Sequence, residues 1–174
     1  MQWQEVIDNP NLKNLPFKIE LNRWGRVEMS PASNWHALLR SRLAQWIRAA
    51  LNHGETLTEA SVQTTDGVRV PDVVWASADF LAEQNFNTPF TRAPSICVEI
   101  ISPGNTRLEM LEKTRLYLEA GAVEVWLVSE AGQLEVEDIE GARNDSRLLP
   151  GIGEILRHQS THQQPPHQTE KTDR

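Results

Sequence analysis

Two acids stand where a purely structural sheet has little use for them. Glu99 lies inside Ile96-Cys97-Val98-Glu99-Ile100-Ile101, where a carboxylate without a partner costs on the order of several kcal/mol to desolvate or stays protonated. A cation, a lysine or an open cleft must offset that, unless the side chain sits at a strand end and faces water. Asp72 follows Pro71 in Val68-Arg69-Val70-Pro71-Asp72-Val73-Val74-Trp75. Proline in a strand implies an edge or a bulge, a place where a side chain can be re-aimed.

Two carboxylates on neighbouring strands, without thiolate or histidine clusters, suit a hard ion such as magnesium or manganese. Such an ion polarises a phosphoryl oxygen, lowers the pKa of a bound water and shields transition-state charge. A lysine nearby would orient the water or stabilise that charge. Lys113 is the candidate, on a helix just after the Glu99 strand, where it flanks an apolar stripe of Met110, Leu111, Thr114, Tyr117 and Leu118. The alternative is a lysine lying along its own stem.

Glu59, in Leu57-Thr58-Glu59-Ala60, reads either as a third ligand on the strand paired with the Asp72 strand or as a surface acid. His36 falls within the apolar stripe of the first long helix, as a core histidine or a group facing the site. Cys97 reads as packing, Glu109 and Lys113 as a helical i, i+4 pair, and Ser102 and Asn105 as helix caps. Trp24, in a basic hairpin, could stack on a base.

The elements that must position these groups are legible in outline. Phe17–Asn22 and Arg26–Met29 predict a hairpin. Trp35, Leu38, Leu39, Leu43, Trp46, Ile47 and Ala50 recur at helical spacing after the hydroxyl and proline signals of Ser30 to Ser33. Leu57–Gln63 and Val68–Trp75 predict two strands around an Asp66-Gly67 turn. Ser95–Ile101, apolar on both faces, predicts a central strand. Asn105–Ala120 is helical and Val123–Val128 the next strand, a right-handed βαβ unit with parallel strands. Leu134–Ile139 follows. The expected architecture is α/β, a mixed sheet flanked by helices, with one domain over residues 1–156 and a disordered polar tail over 157–174.

The chain of 174 residues carries a net charge of −7, 39% hydrophobic and 24% charged residues, a globular balance. It lacks an apolar run long enough for a membrane helix and a start of signal-peptide type, so a cytoplasmic location is expected. Cys97, the single cysteine, excludes an intrachain disulfide. An acidic chain argues against phosphate binding. The distribution softens this, since residues 11–48 hold seven Lys and Arg against Glu20 and Glu28, leaving that stretch +5 and the remainder −12.

Val70-Pro71-Asp72-Val73, Val98-Glu99-Ile100-Ile101-Ser102-Pro103-Gly104-Asn105-Thr106, then Glu109, Lys113, Tyr117 and Gly121-Ala122-Val123-Glu124-Val125-Trp126-Leu127-Val128 occur in that order. The series resembles the Uma-two family of restriction endonucleases, a branch of the PD-(D/E)XK nuclease superfamily, over roughly residues 29–150. The resemblance implies a restriction-endonuclease-like core, Asp72 and Glu99 as metal ligands, and the catalytic lysine role for Lys113. The superfamily pattern asks for lysine two residues after the glutamate. Ile101 stands there, and Lys113 takes the place on the following helix. The function expected is magnesium- or manganese-dependent cleavage of DNA phosphodiesters, with Glu59 and His36 as possible additions to the site. A nuclease-fold binding module without activity, or a hydrolase of another phosphate ester, is the alternative. Six tryptophans and the need to address both strands of a duplex suggest a homodimer.

Overall fold

The run around Glu99 forms the strand from which the rest of the fold is measured. In the computed structural model, which describes residues 1–161, ten strands and five helices follow in order. They are α1 (Trp3–Asp8), β1 (Phe17–Leu21), β2 (Val27–Pro31), α2 (Asn34–Ala50), β3 (Gly54–Thr58), β4 (Val62–Thr64), β5 (Gly67–Arg69), β6 (Val73–Ser77), α3 (Ala78–Gln84), β7 (Ile96–Ile101), α4 (Arg107–Glu119), β8 (Glu124–Ser129), β9 (Leu134–Asp138), β10 (Gly141–Arg143) and α5 (Ile152–Thr161). A six-stranded sheet has the order β10-β9-β8-β7-β6-β3. Within it β7 and β8 are parallel, joined through α4, and the other neighbours are antiparallel. The mixed α/β architecture is the one expected.

Apolar side chains sort the helices onto its two faces. Leu39, Leu43 and Ile47 of α2 and Ile152 and Leu156 of α5 pack with Val98, Ile100, Trp126 and Val136. On the other face Tyr117 of α4 meets Val74, Cys97 and Val125. Strand alternation therefore turns Cys97 and Glu99 toward α4, and Val98 and Ile100 toward α2.

The architecture departs from expectation at one joint. Instead of two continuous strands around the Asp66-Gly67 turn, each strand is broken. Glu59 adopts a left-handed backbone (φ 55°), and Pro71 supplies no N–H. The outer halves, β4 and β5, leave the large sheet and join the N-terminal hairpin in a second sheet of order β2-β1-β5-β4. Glu59 and Asp72 thus lie at the bend between sheets and not within paired strands. Their backbones still touch there, Glu59 N–H donating to Asp72 O at 3.4 Å. At the outer turn Gly67 has φ 85°, and a Cβ there would lie 2.0 Å from Leu21 O.

Three smaller corrections follow. Helix α1, six residues long, was below the reach of periodicity; Val6 packs under β1 and β5 with Leu21 and Val68. The α4 cap is Thr106, whose hydroxyl accepts from Glu109 N–H while the Glu109 carboxylate accepts from Thr106 N–H. This reciprocal pairing occupies Glu109 and frees Ser102 for another role. Finally, α5 runs through Thr161, so Arg157–Thr161 are helical where a disordered tail was expected. Residues 162–174 of that expected tail lie outside the described residues. Among the described residues no helix is long and apolar enough to cross a membrane.

Candidate active site

Asp72 is placed by the joint and fixed by β7. Its backbone N–H donates to Val98 O at 2.9 Å, and its Oδ2 accepts from Ile100 N–H at 2.8 Å. Oδ1 receives the Lys18 ammonium at 2.8 Å and faces His36 Nε2 at 3.3 Å. The residue is 1% exposed. Burial pushes its carboxyl upward, but the Lys18 charge and the His36 ring outweigh that and hold it well below the usual range.

Glu99, also buried, is held by α4. Tyr117, one turn after Lys113, donates its hydroxyl to Glu99 Oε1 at 2.6 Å, and Lys113 Nζ reaches the same oxygen at 3.3 Å. Residues four apart on a helix share a face, so one packing contact positions both. Burial foremost, and then the Glu99 charge, push the Tyr117 phenol well above its ordinary value, so it stays a donor. Glu99 Oε2 accepts from Lys18 Nζ at 3.0 Å.

The remaining groups come from β1. Phe17, Ile19 and Leu21 alternate with Lys18 and Glu20, so the two charges share the face turned to the site. Glu20 Oε1 accepts from Val70 N–H at 2.9 Å and from Lys113 Nζ at 3.1 Å. Burial opposes ionisation of Glu20, yet Lys113 and Lys18 keep its carboxyl below the usual range. Lys18 is itself held well above the ordinary lysine value: burial lowers it, and Glu99, Asp72 and Glu20 together prevail. Lys18, His36, Asp72, Glu99 and Lys113 border an open cavity of roughly 630 Å3, whose lining also includes Arg40, Glu59, Ser102 and Met29.

A comparison with protein families matches residues 3–149 to Uma2, described as "Putative restriction endonuclease". The chain belongs to the Uma2 family. A crystal structure described as "a putative nuclease belonging to DUF820" from Anabaena variabilis superposes on this Uma2 chain with a TM-score of 0.70 at 16% identity, over 92% of this chain and 99% of that one. The two share the fold. A DrdV–DNA complex solved by cryo-electron microscopy gives a TM-score of 0.45 at 11% identity, over 75% of this chain and 12% of that one. No curated protein matches the sequence.

Within this Uma2 fold the structure brings together Asp72, Glu99, Lys113 and His36, four of the five side chains singled out in the sequence. His36 is buried, with Nδ1 on Ser102 Oγ at 3.1 Å and Nε2 on Asp72. Glu59 is half-exposed at the cavity rim and its carboxylate pairs with Arg40. The sequence reading missed Lys18, Glu20 and the Tyr117 hydroxyl. Strict alternation in Phe17-Lys18-Ile19-Glu20-Leu21 was the available signal for the first two. The basic stretch they belong to is answered by acids elsewhere: Arg23 pairs with Asp66, Arg40 with Glu59 and Arg48 with Glu55.

The Asp72 and Glu99 carboxylates are donors of the kind a hard cation takes. Asp72 Oδ1 and Glu99 Oε2 both lie within 3.0 Å of one nitrogen, Lys18 Nζ, so two carboxylate oxygens already converge on a single cation position. Among the described residues no group of three or more His, Cys, Asp and Glu is arranged to hold a metal. A site of two carboxylates suits an ion that keeps several of its own waters, as magnesium does.

Proposed function

We propose that this chain is a magnesium- or manganese-dependent endonuclease that hydrolyses DNA phosphodiester bonds. The observation that carries the reading is the convergence of the Asp72 and Glu99 carboxylates on one cation position with Lys113 beside Glu99. Asp72 and Glu99 are the ligands. The ion, when bound, polarises the scissile phosphate and acidifies a water. Lys113, held between Glu99 and Glu20, faces the cavity, where its ammonium orients the attacking water and offsets charge building on the phosphoryl oxygens. Tyr117 keeps Glu99 in place. His36, tied to Ser102, fixes the second edge of Asp72. Arg40, paired with Glu59, lines the same cavity.

The test is cleavage of duplex, single-stranded and branched DNA in Mg2+ and in Mn2+. Cleavage is expected to disappear with chelator and in Glu99→Gln. Lys113→Ala is expected to lower turnover by ~100-fold or more while leaving metal affinity near that of the wild type. Activity surviving chelator, or unchanged in Lys113→Ala, would overturn the assignment. Because phosphate contacts made by residues 11–48 would sit on an otherwise acidic protein, cleavage should fall steeply with salt.

Two equivalent sites are needed to cut both strands of a duplex, and a homodimer supplies them. The exposed Trp24 and Ile139 support this reading. Light scattering at micromolar concentration is expected to give twice the chain mass, and a monomer would rule it out. One observation favours a binding module without activity: the Lys18 ammonium bridges the two carboxylates. The same lysine has a second explanation.

A further inference from the structure

We infer that Lys18 is a tethered counter-cation that holds the metal position in the free protein and yields it when a nucleic-acid phosphate arrives, so that metal and DNA bind cooperatively. The inference rests on the metal-site reading above and specifies how that site is regulated.

The geometry leaves little room for both cations. Lys18 Nζ stands 2.8 Å from Asp72 Oδ1 and 3.0 Å from Glu99 Oε2, in contact with one oxygen from each proposed ligand. Its side chain is only 10% exposed. Charge balance points the same way. Asp72, Glu99 and Glu20 are the acids of the cluster, and Lys18 and Lys113 its ammonium groups. A dication that replaces Lys18 adds one positive charge to the cluster, whereas one added beside both lysines adds two, and Arg69 already stands 3.5 Å from Glu20 Oε2. Lys113 does not compete in the same way, because it contacts Glu99 through Oε1 and is held from behind by Glu20.

Lys18 can leave its partners without moving its strand. β1 pairs with β5 through Leu21↔Val68, at the opposite end from Lys18. Around Lys18 the ladder partner is Ser30 of β2, a strand exposed along most of its length. A four-carbon stem lets the ammonium swing by several ångströms while the backbone stays in place. Lys18 also lines the cavity with Arg40 and Lys113, so a phosphate in the cavity offers it a new partner. DNA then removes the competitor, and by linkage the metal strengthens DNA binding by the same factor.

The experiment measures Mn2+ binding by electron paramagnetic resonance of the free ion, on the full chain, with and without a short phosphorothioate duplex. In the wild-type protein the duplex is expected to lower the Mn2+ dissociation constant about tenfold. Lys18→Met is expected to bind Mn2+ about tenfold more tightly than wild type without the duplex, and to gain nothing further from it. Equal Mn2+ affinity in wild type and Lys18→Met, with no effect of the duplex, would overturn the inference and leave the metal site standing. Absence of Mn2+ binding in both proteins, folded by circular dichroism, would overturn the metal-site reading itself. A measurement on wild type alone covers a variant that fails to fold. The chain has four lysines, and 15N-lysine spectra should show the shielded Lys18 ammonium lose its protection as Mg2+ saturates the site. Retained protection at saturation would overturn the inference.

Discussion

Tyr117 shows how a single hydroxyl can hold a buried carboxylate in place. Its bond to Glu99 Oε1 is charge-assisted and fully enclosed. Tyr117→Phe removes the donor without opening a cavity, and is expected to cost about 1.5–3 kcal/mol, read from urea unfolding. The Cys97 thiol, on the same face of β7, is pushed far up by burial and then by the Glu99 charge. It should not react with a disulfide reagent in the native protein and should react at once in denaturant; native reactivity would show that the sheet opens at its centre. At this scale the sequence was most informative where residue type and surroundings disagreed. Glu99 in an apolar strand and Asp72 after a proline announced themselves, and Lys113 lay at a reach that helical spacing could predict. Lys18 and Glu20 did not, because charges alternating with apolar residues look the same whether their face meets water or a second sheet.

The joint between the sheets and the anchor of α5 are properties of elements. Periodicity recovered the βαβ unit because β7, α4 and β8 are each long enough to display a pattern. It merged β3 with β4 and β5 with β6, since alternation continues across a bend and nothing in it reports a change of partner. It gave no hint of Glu124 either. That buried carboxylate accepts from Trp126 Nε1 at 2.9 Å, Ser146 Oγ at 2.6 Å and Arg147 N–H at 2.8 Å. It thereby ties the segment before α5 to β8, while Asp145 accepts from the N–H groups of Gly151 and Gly153. Glu124→Ala orphans several donors and is expected to cost roughly 3 kcal/mol. Amide exchange should accelerate first in α5, and uniform acceleration across the sheet would argue against a local anchor.

Across the whole molecule the paired carboxylates set the response to acid. Asp72 and Glu20 have folded-state values below their ordinary ones, so their contribution to stability is complete above the unfolded-state pKa of about 4. It is lost progressively as pH falls from there through the lower folded-state values. Lys18, raised in the folded state, contributes fully below about pH 10, so it adds no slope in the acid range. The urea midpoint should therefore drop below pH ~4, and more gently in Asp72→Asn. An equal drop in that variant would place the acid sensitivity elsewhere.

Gly67 bears on where damage to this protein would arise. Because a Cβ at that position meets Leu21 O at 2.0 Å and Asn22 C at 2.7 Å, the clash is with main chain, which cannot rotate aside. Any side chain there must push β1 off β5, and Lys18 and Glu20 travel with the strand. A change at this turn glycine would then disturb the positions of Lys18 and Glu20 although the glycine itself lies outside their cluster.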